Sequence, residues 1–268
     1  MNLGHEHLLG KLPGVIVTVV IAVTFNSAVS AQTDNLTPMQ QRIQAQQRRL
    51  SSANVEERRD ALMNLAAMNH PQAARAAVPA LSDPEPMVRV TAAHALRALP
   101  ATDASAALLP LLSDKLEFVR REVVRALGET RSKAAVQPLI GLLTSDKEPS
   151  VHAAAAIALG KIQDEAAVVP LVNLLTGNGA RKKSKAREDE FVMRAAAQSL
   201  GEIRSRAGVA ALAATLSDEK APIEVRRAAA EALGAIGDAS ASPALKTATD
   251  SADPYLAQTA RAALRRLH

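Results

Sequence analysis

The chain has 268 residues, of which 48% are apolar and 22% are charged, and its formal net charge is +5. It contains no cysteine, which excludes disulfides, thiolate nucleophiles and thiolate metal ligands. Alanine makes up about a fifth of the residues and aromatic residues only 1%, a composition that favours helices over β-sandwiches and β-barrels. We therefore expect an all-α protein.

Residues 1–31 have the pattern of a secretory signal peptide. Lys11 precedes an apolar run from Val15 to Phe25, and Val29-Ser30-Ala31 supplies the small residues that signal peptidase requires. We predict cleavage near Ala31, before Gln32, and hence a secreted or periplasmic protein. The alternative is an N-terminal membrane anchor, although the apolar run is shorter than the ~20 residues of a spanning helix.

Residues 32–53 form a predicted linker that is rich in glutamine and arginine. Thr37 and Gln40 have the spacing of a capping box, and Pro38 occupies the first helical position. A short helix is therefore expected from Pro38 to about Leu50.

Residues 54–268 repeat one unit about every 31 residues. The segment 118–129 reads Phe-Val-Arg-Arg-Glu-Val-Val-Arg-Ala-Leu-Gly-Glu, and segments 191–202 and 225–234 follow the same pattern. One leucine marks the same position in every unit, at spacings of 31, 31, 32, 41, 33 and 31 residues: Leu65, Leu96, Leu127, Leu159, Leu200, Leu233 and Leu264. Units of this kind bury their apolar faces by stacking on one another, which predicts an α-solenoid.

Each unit is predicted to contain two helices, A and B. Apolar residues of helix A recur at helical spacing, as Val88, Ala92 and Leu96 do. Helix B is expected to begin at a capping residue five positions after the marker leucine: Ser132, Asp164, Ser205 and Asp238. It ends on a second leucine column, which Thr249 interrupts in the sixth unit, and the last unit has only a terminal helix from Pro254 to Leu267.

Acidic and basic residues recur in the turns between units. Asp83, Asp114 and Asp146 precede a basic or imidazole side chain by six residues, and Asp218 precedes Arg226 by eight. Two interpretations follow: a ladder of aspartate–arginine hydrogen bonds along the stack, or capping aspartates beside exposed arginines. The recurrence favours the ladder.

These residues resemble the short HEAT repeats named after the phycobilisome lyases. The resemblance rests on the helix A pattern Asp-x-x-x-x-Val-Arg-x-x-Ala-x-x-Ala-Leu-Gly. It is followed by helix B motifs such as Pro-Leu-Ile-Gly-Leu-Leu at 138–143 and Pro-Leu-Val-Asn-Leu-Leu at 170–175. The resemblance covers residues 54–268 and implies an all-α, right-handed α-α superhelix, a HEAT/armadillo-type solenoid of about six helix pairs plus a terminal helix. It implies no particular activity, because these repeats serve many unrelated tasks.

Two classes of enzyme are built on this repeat, and the sequence can be compared with the requirements of each. Bilin lyases work in the cytoplasm, which the secretory signal contradicts. Deoxyhypusine hydroxylase holds two irons with His-Glu pairs, but the sole such dipeptide here is His5-Glu6 within the signal, and Arg121 stands before Glu122. The histidines of the mature chain lack the i, i+4 spacing of a metal site on one helix. We predict no catalytic residue, no metal and no cofactor.

One insertion departs from the repeat, at 177–189. It carries five basic residues within seven positions: Arg181, Lys182, Lys183, Lys185 and Arg187. These residues are candidates for binding an anionic surface such as phospholipid, lipopolysaccharide, nucleic acid or an acidic protein. The alternative is a solvated loop.

In the family that the repeats resemble, helix B faces the concave side of the solenoid. Two columns of exposed positions are expected there. They are Arg75, Ala106, Gln137, Val169, Ala210 and Pro243, and Pro79, Pro110, Gly141, Asn173, Ala214 and Thr247. These residues are small and nearly uncharged, so nucleic acid is an unlikely ligand there, and a peptide or helix of another protein suits the groove better.

The sequence therefore predicts an exported, non-enzymatic scaffold that binds another protein. Two alternatives remain: a lyase-type enzyme related to bilin lyases, and an adaptor that binds an anionic surface through the basic insertion.

Overall fold

A computed structural model describes residues 36–177 and 186–267 of the chain. Contacts divide the chain into two units, Met1–Ala45 and Gln46–His268. In the first, the amide of Thr37 donates to the Gln40 side chain at 2.9 Å, and the Gln40 amide donates back to the Thr37 hydroxyl at 3.3 Å. This reciprocal pair is a capping box, and it starts helix α1, Pro38–Arg49.

The described residues contain 14 α-helices and no strand, which confirms the all-α expectation. After α1 they form six pairs of an A and a B helix followed by a terminal A helix. The A helices are α2 (Val55–Ala67), α4 (Pro86–Ala95), α6 (Glu117–Thr130), α8 (Pro149–Ile162), α10 (Ala186–Ile203), α12 (Ile223–Ile236) and α14 (Pro254–Leu264). The B helices are α3 (Pro71–Ala77), α5 (Ala101–Leu108), α7 (Val136–Ser145), α9 (Val168–Leu175), α11 (Val209–Ser217) and α13 (Ser242–Ala248).

Neighbouring repeats pack through their A helices, so that α6 contacts α8, α8 contacts α10, and α10 contacts α12. The predicted leucine columns fill the layer between A and B helices. Leu96, Leu127, Leu159, Leu200 and Leu233 are fully buried, and Leu175 and Leu216 are buried on the B side. Because each repeat contacts mainly its neighbours, one continuous core runs along the stack.

A glycine column allows the A helices to approach closely. A Cβ atom built on Gly128 would lie 2.7 Å from Cα of Ala158, and one on Gly201 would lie 2.8 Å from Cα of Ala232. Gly234 faces Ala263 in the same way. These glycines recur one residue after the marker leucine, so close contact between A helices repeats along the stack.

Side-chain caps start four of the six B segments, three of them at a short 3₁₀ turn. Asp164, Ser205 and Asp238 each accept a hydrogen bond from the backbone amide two residues later, as predicted. The prediction for Ser132 is wrong, because this residue precedes the turn but its side chain makes no capping bond. His70 supplies an unexpected cap by accepting from the amide of Gln72.

An arginine–aspartate ladder crosses the first three turns between repeats. Each arginine of an A helix donates through Nε and Nη2 to the two carboxylate oxygens of an aspartate 25 or 26 residues later. The pairs are Arg58–Asp83, Arg89–Asp114 and Arg120–Asp146, with distances of 2.7–3.1 Å. Nη1 of Arg89 also donates to the backbone carbonyl of Asp83 at 2.9 Å, and Nη1 of Arg120 donates to the backbone carbonyl of Asp114 at the same distance. Each of these guanidinium groups therefore joins two successive turns.

The ladder aspartates also act as caps, so the capping part of the alternative interpretation is correct, but its exposed arginines are wrong because Arg58, Arg89 and Arg120 are buried. One oxygen of Asp146 accepts from the amide of Glu148 at 2.9 Å while the carboxylate pairs with Arg120. Burial opposes ionisation of Asp83 and Asp146, but the bonds from their arginines and from the amides outweigh it. The pKa of each carboxyl group is consequently below its ordinary value.

The ladder changes in the second half of the stack. His152 occupies the next arginine position, with Nε2 lying 2.6 Å from the carbonyl oxygen of Asp146, and Met193 occupies the position after that. Asp218 caps the amide of Lys220 at 3.0 Å but pairs with no arginine of the described residues, which contradicts its predicted place in the ladder.

Candidate docking groove

The B helices α7, α9 and α11 contain no charged residue, although 22% of the chain is charged. They belong to three consecutive repeats. The A helices α6 and α10 of the third and fifth repeats carry many charges, as in the segment Arg-Arg-Glu at 120–122 of α6, whereas α8 of the fourth repeat carries only Lys161. The A and B helices therefore differ sharply in polarity in the third and fifth repeats.

All twelve residues of the two predicted groove columns are exposed, as expected from the sequence. Val169 is 67% exposed, which is unusual for a branched aliphatic side chain. Half-buried aliphatic residues recur on the B side, 13 residues after the marker leucine: Val78, Leu109, Ile140 and Val172. We call this surface of columns and aliphatic residues on the B helices the B-helix groove.

At its N-terminal end the B-helix groove has one ion pair between neighbouring B helices. Arg75 of α3 donates to Asp103 of α5 at 2.8 Å, and both side chains are well exposed. The two charges compensate each other, so the groove offers small, nearly uncharged residues from α3 to α11.

The side chains of the five basic candidates in the insertion all lie outside the residues that the structure describes. Arg181, Lys182, Lys183 and Lys185 lie outside the described residues. Arg187 belongs to α10, Ala186–Ile203, but its side chain lies outside them as well. Their role in binding an anionic surface stays a prediction.

The titratable side chains of the described residues do not gather into a metal site. No group of three or more potential His, Asp or Glu ligands occurs among them. His94 pairs with Glu122 across neighbouring A helices at 3.5 Å. In residues 36–177 and 186–267, no helix has the length and apolar character needed to cross a bilayer.

A polar cavity of about 450 Å³ lies on the A-helix side, lined by Gln163, Gln198, Glu202, Arg204 and Glu231 among others. Desolvation raises the pKa of the Glu202 carboxyl group, while the charges of Lys161 and Arg131 lower it by smaller amounts. Sequence reasoning missed this cavity, because its side chains come from three successive A helices, α8, α10 and α12, or from the residues that directly follow them.

A family model for HEAT repeats matches residues 45–123, 105–188 and 182–265. The chain belongs to the HEAT-repeat family. This HEAT-repeat chain has the repeats that its leucine columns and turn aspartates predicted.

Solved structures with the same fold include a lyase complex, a hydroxylase and a designed repeat protein. The complex of CpcE and CpcF of phycocyanin lyase from a Nostoc species is 22% identical, with a TM-score of 0.50, covering 87% of this chain and 96% of that one. Human deoxyhypusine hydroxylase in complex with glycerol is 22% identical (TM-score 0.42, 84% and 83% covered). A designed armadillo repeat protein is 19% identical (TM-score 0.37, 84% and 99% covered).

No curated protein matches the chain in sequence. At these identities the structural likeness establishes the HEAT/armadillo fold, and a fold shared by enzymes and other proteins assigns no activity by itself.

Proposed function

We propose that the protein is an exported, non-enzymatic HEAT-repeat scaffold whose B-helix groove binds a segment of another protein. The observation that carries the proposal is the run of three consecutive B helices without a charged residue, whereas the A helices α6 and α10 of the third and fifth repeats are strongly charged. A surface that avoids charge on one face is typical of the core of a protein interface.

The chemistry of the groove favours a protein ligand over nucleic acid. Binding of a phosphate backbone needs a track of lysine or arginine, and base stacking needs aromatic side chains. Neither residue type occurs in α7, α9 or α11. The exposed Val169 and the half-buried Ile140 and Val172 offer apolar contacts to a helix or an extended segment.

A matched pair of photocrosslinking positions in the fourth repeat tests the proposal. Val169 on α9 lies in the B-helix groove, whereas Ile157 on α8 is an aliphatic residue on the A side that is 36% exposed. A photoreactive amino acid at Val169 of the full chain should give a discrete crosslinked adduct in envelope extract, and the same label at Ile157 should not.

The substitution Val169→Glu should then abolish capture of the adduct protein, because it places a charge in an uncharged groove. Ile157→Glu should leave capture intact. Capture that depends on Ile157 but not on Val169 would contradict the assignment of the groove. Turnover of a substrate by the purified protein would contradict the non-enzymatic part of the proposal.

The basic insertion supports a second, separate proposal, in which residues 181–187 attach the scaffold to an anionic surface. Neighbouring repeats elsewhere join without such a loop, so the fold does not require it. Deleting 181–187 should weaken binding to anionic vesicles at low salt and leave the unfolding temperature almost unchanged, since loop closure depends weakly on length. Vesicle binding that is equal in the deletion variant and the parent across a salt titration would show that the loop is only solvated.

A further inference from the structure

The sixth repeat keeps the arginine of the ladder but has lost the aspartate. Arg226 stands seven residues before its marker leucine, as Arg58 and Arg89 do. The residue 25 positions later is Ser251, whereas Asp83 and Asp114 occupy that position in the first two repeats.

Ser251 retains the capping half of the role of the aspartate. Its hydroxyl accepts from the amide of Asp253 at 3.2 Å, just as Asp83 accepts from the amide two residues later. It has no second oxygen or negative charge to give to Arg226. The substitution of serine for aspartate therefore removes only the group that pairs with the guanidinium.

The guanidinium group of Arg226 consequently lacks the carboxylate partner that the ladder arginines have. Nε donates to the carbonyl of Leu216 at 3.0 Å, which replaces the carbonyl bond that Nη1 makes in the ladder. Neither Nη1 nor Nη2 of this half-buried side chain has an acceptor among the described residues. The neighbouring Arg227 pairs instead with Asp253.

A cleft of about 630 Å³ lies at this site, between the fifth and sixth turns. Arg226 lines it together with the apolar side chains of Leu216, Ile223, Ala244 and Ala248. The cleft therefore combines one arginine, an apolar wall and several acidic and hydroxyl residues, and an apolar wall with a few polar groups is the usual composition of a small-ligand site.

We propose that this cleft binds a carboxylate group on a short aliphatic stem, and that Arg226 is its partner. Carboxylate is the ligand that the same arginine position holds in three other repeats, with two nitrogens donating to two oxygens at 2.7–3.1 Å. The aliphatic stem would lie against Leu216, Ile223 and Ala248.

The acidic residues around the cleft restrict the ligand to a single negative charge. Glu219, Asp250 and Asp253 also line the cleft. Asp253 is neutralised by Arg227, at 2.5 Å between Nη2 and Oδ2, whereas Glu219 and Asp250 are exposed and form no ion pair with Arg226. A phosphate dianion would meet stronger repulsion from these carboxylates than a monocarboxylate would.

Two sources can supply this group, a free monocarboxylic acid or the glutamate side chain of a protein. Butyrate represents the first and N-acetyl-glutamate amide the second; butyramide and N-acetyl-glutamine amide are neutral controls of the same shape. The cleft shares Thr247 with the B-helix groove, but Arg226 and Ser251 lie outside that groove, so a test on these two residues is independent of the scaffold proposal.

The experiment follows the Nε–Hε signal of Arg226 in ¹⁵N NMR spectra of the mature protein, assigned with Arg226→Lys. At constant ionic strength, at least one carboxylate should shift this signal saturably, and the amides should not. A lower Kd for N-acetyl-glutamate amide would identify a protein side chain as the source, and an equal or lower Kd for butyrate a free acid.

Ser251→Asp provides the decisive variant, because it restores the carboxylate of the ladder inside the cleft. It should raise the Kd of the carboxylates at least tenfold and raise the unfolding temperature, which also reports that the variant folds. Arg226→Gln removes the guanidinium without adding a charge and also removes the Nε–Hε signal, so binding is followed there by the backbone amide signal of Ser251, which lines the same cleft. A saturable shift of that amide in the parent should be abolished in Arg226→Gln. Shifts that the amides reproduce, no saturable shift with either acid, or an unchanged Kd in both variants would overturn the proposal.

Discussion

The glycine column leads to a prediction in which one substitution has opposite effects at two sites of the same repeat. Gly128 lies in helix α6 against α8, and Gly141 lies in helix α7 on the groove side. We expect Gly128→Ala to destabilise the protein and Gly141→Ala to stabilise it.

The magnitude at Gly128 follows from the distances. The new Cβ would lie 2.7 Å from Cα and 2.8 Å from Cβ of Ala158, whereas ordinary contacts begin at 3.4 Å. The opposing atom belongs to the backbone, so no rotamer change relieves the clash, and α6 and α8 must separate by roughly 0.7 Å. Overpacking of this kind costs about 1–3 kcal/mol, and the gain of about 1 kcal/mol in helix propensity only partly offsets it.

At Gly141 a Cβ atom would meet nothing within 4 Å. Only the propensity gain remains there, so Gly141→Ala should raise the free energy of unfolding by about 0.5–1 kcal/mol. Gly141 is the matched control, since both glycines lie inside helices and receive the same methyl group.

The assay is urea denaturation of the two variants and the parent, followed by far-UV circular dichroism. The midpoint should fall for Gly128→Ala and rise for Gly141→Ala with similar slopes, which would show that the change is in stability and not in the cooperativity of the stack. Equal shifts of the same sign at the two positions would refute the role of close A-helix contact.

Three further predictions concern the core, the ladder and export. Leu127→Ala should lower the free energy of unfolding by about 2–5 kcal/mol, because Leu127 is fully buried between repeats. Leu264→Ala, in the half-buried terminal position, should lower it clearly less. Equal losses of stability in denaturation experiments would argue against a one-dimensional stack. The pKa values of Asp83 and Asp146 are lowered in the folded protein. Their ionised carboxylates therefore stabilise the fold fully above the unfolded-state pKa of about 3.9, and this stabilisation is lost as the pH falls through the lower folded-state values. Asp146→Asn should weaken the dependence of the free energy of unfolding on pH in that acidic range. N-terminal sequencing of the protein from its native host should begin near Gln32, and full-length chain in the membrane fraction would instead support the anchor.

The repeat and its core could be predicted from the sequence because burial in a solenoid is a local, periodic requirement. A leucine that returns every 31 residues on the apolar face of a helix has no other way to be buried than against the next unit, and Leu96 and Leu127 are indeed fully buried. The exposed small residues of the B-helix groove could be predicted for the same reason, since positions such as Val169 and Gly141 stand at a fixed number of residues from those leucines.

The pairing of charges across repeats depended on the tertiary structure. The sequence suggested which aspartates and arginines take part, but the stack brings Arg120 to an aspartate 26 residues later while its Nη1 reaches back to the preceding turn. Such a contact depends on the relative position of two turns, and spacing along the chain does not specify that position.

The same limit explains why the cleft at Arg226 escaped the sequence analysis. Spacing alone placed Asp218 and Arg226 together, and the structure separates them, leaving Ser251 opposite the arginine position. Local hydrophobic periodicity determined the helices, their order and their buried faces. The distance and angle between stacked repeats, which result from the packing of the whole core, decided which polar groups are paired and which guanidinium group is left to bind something else.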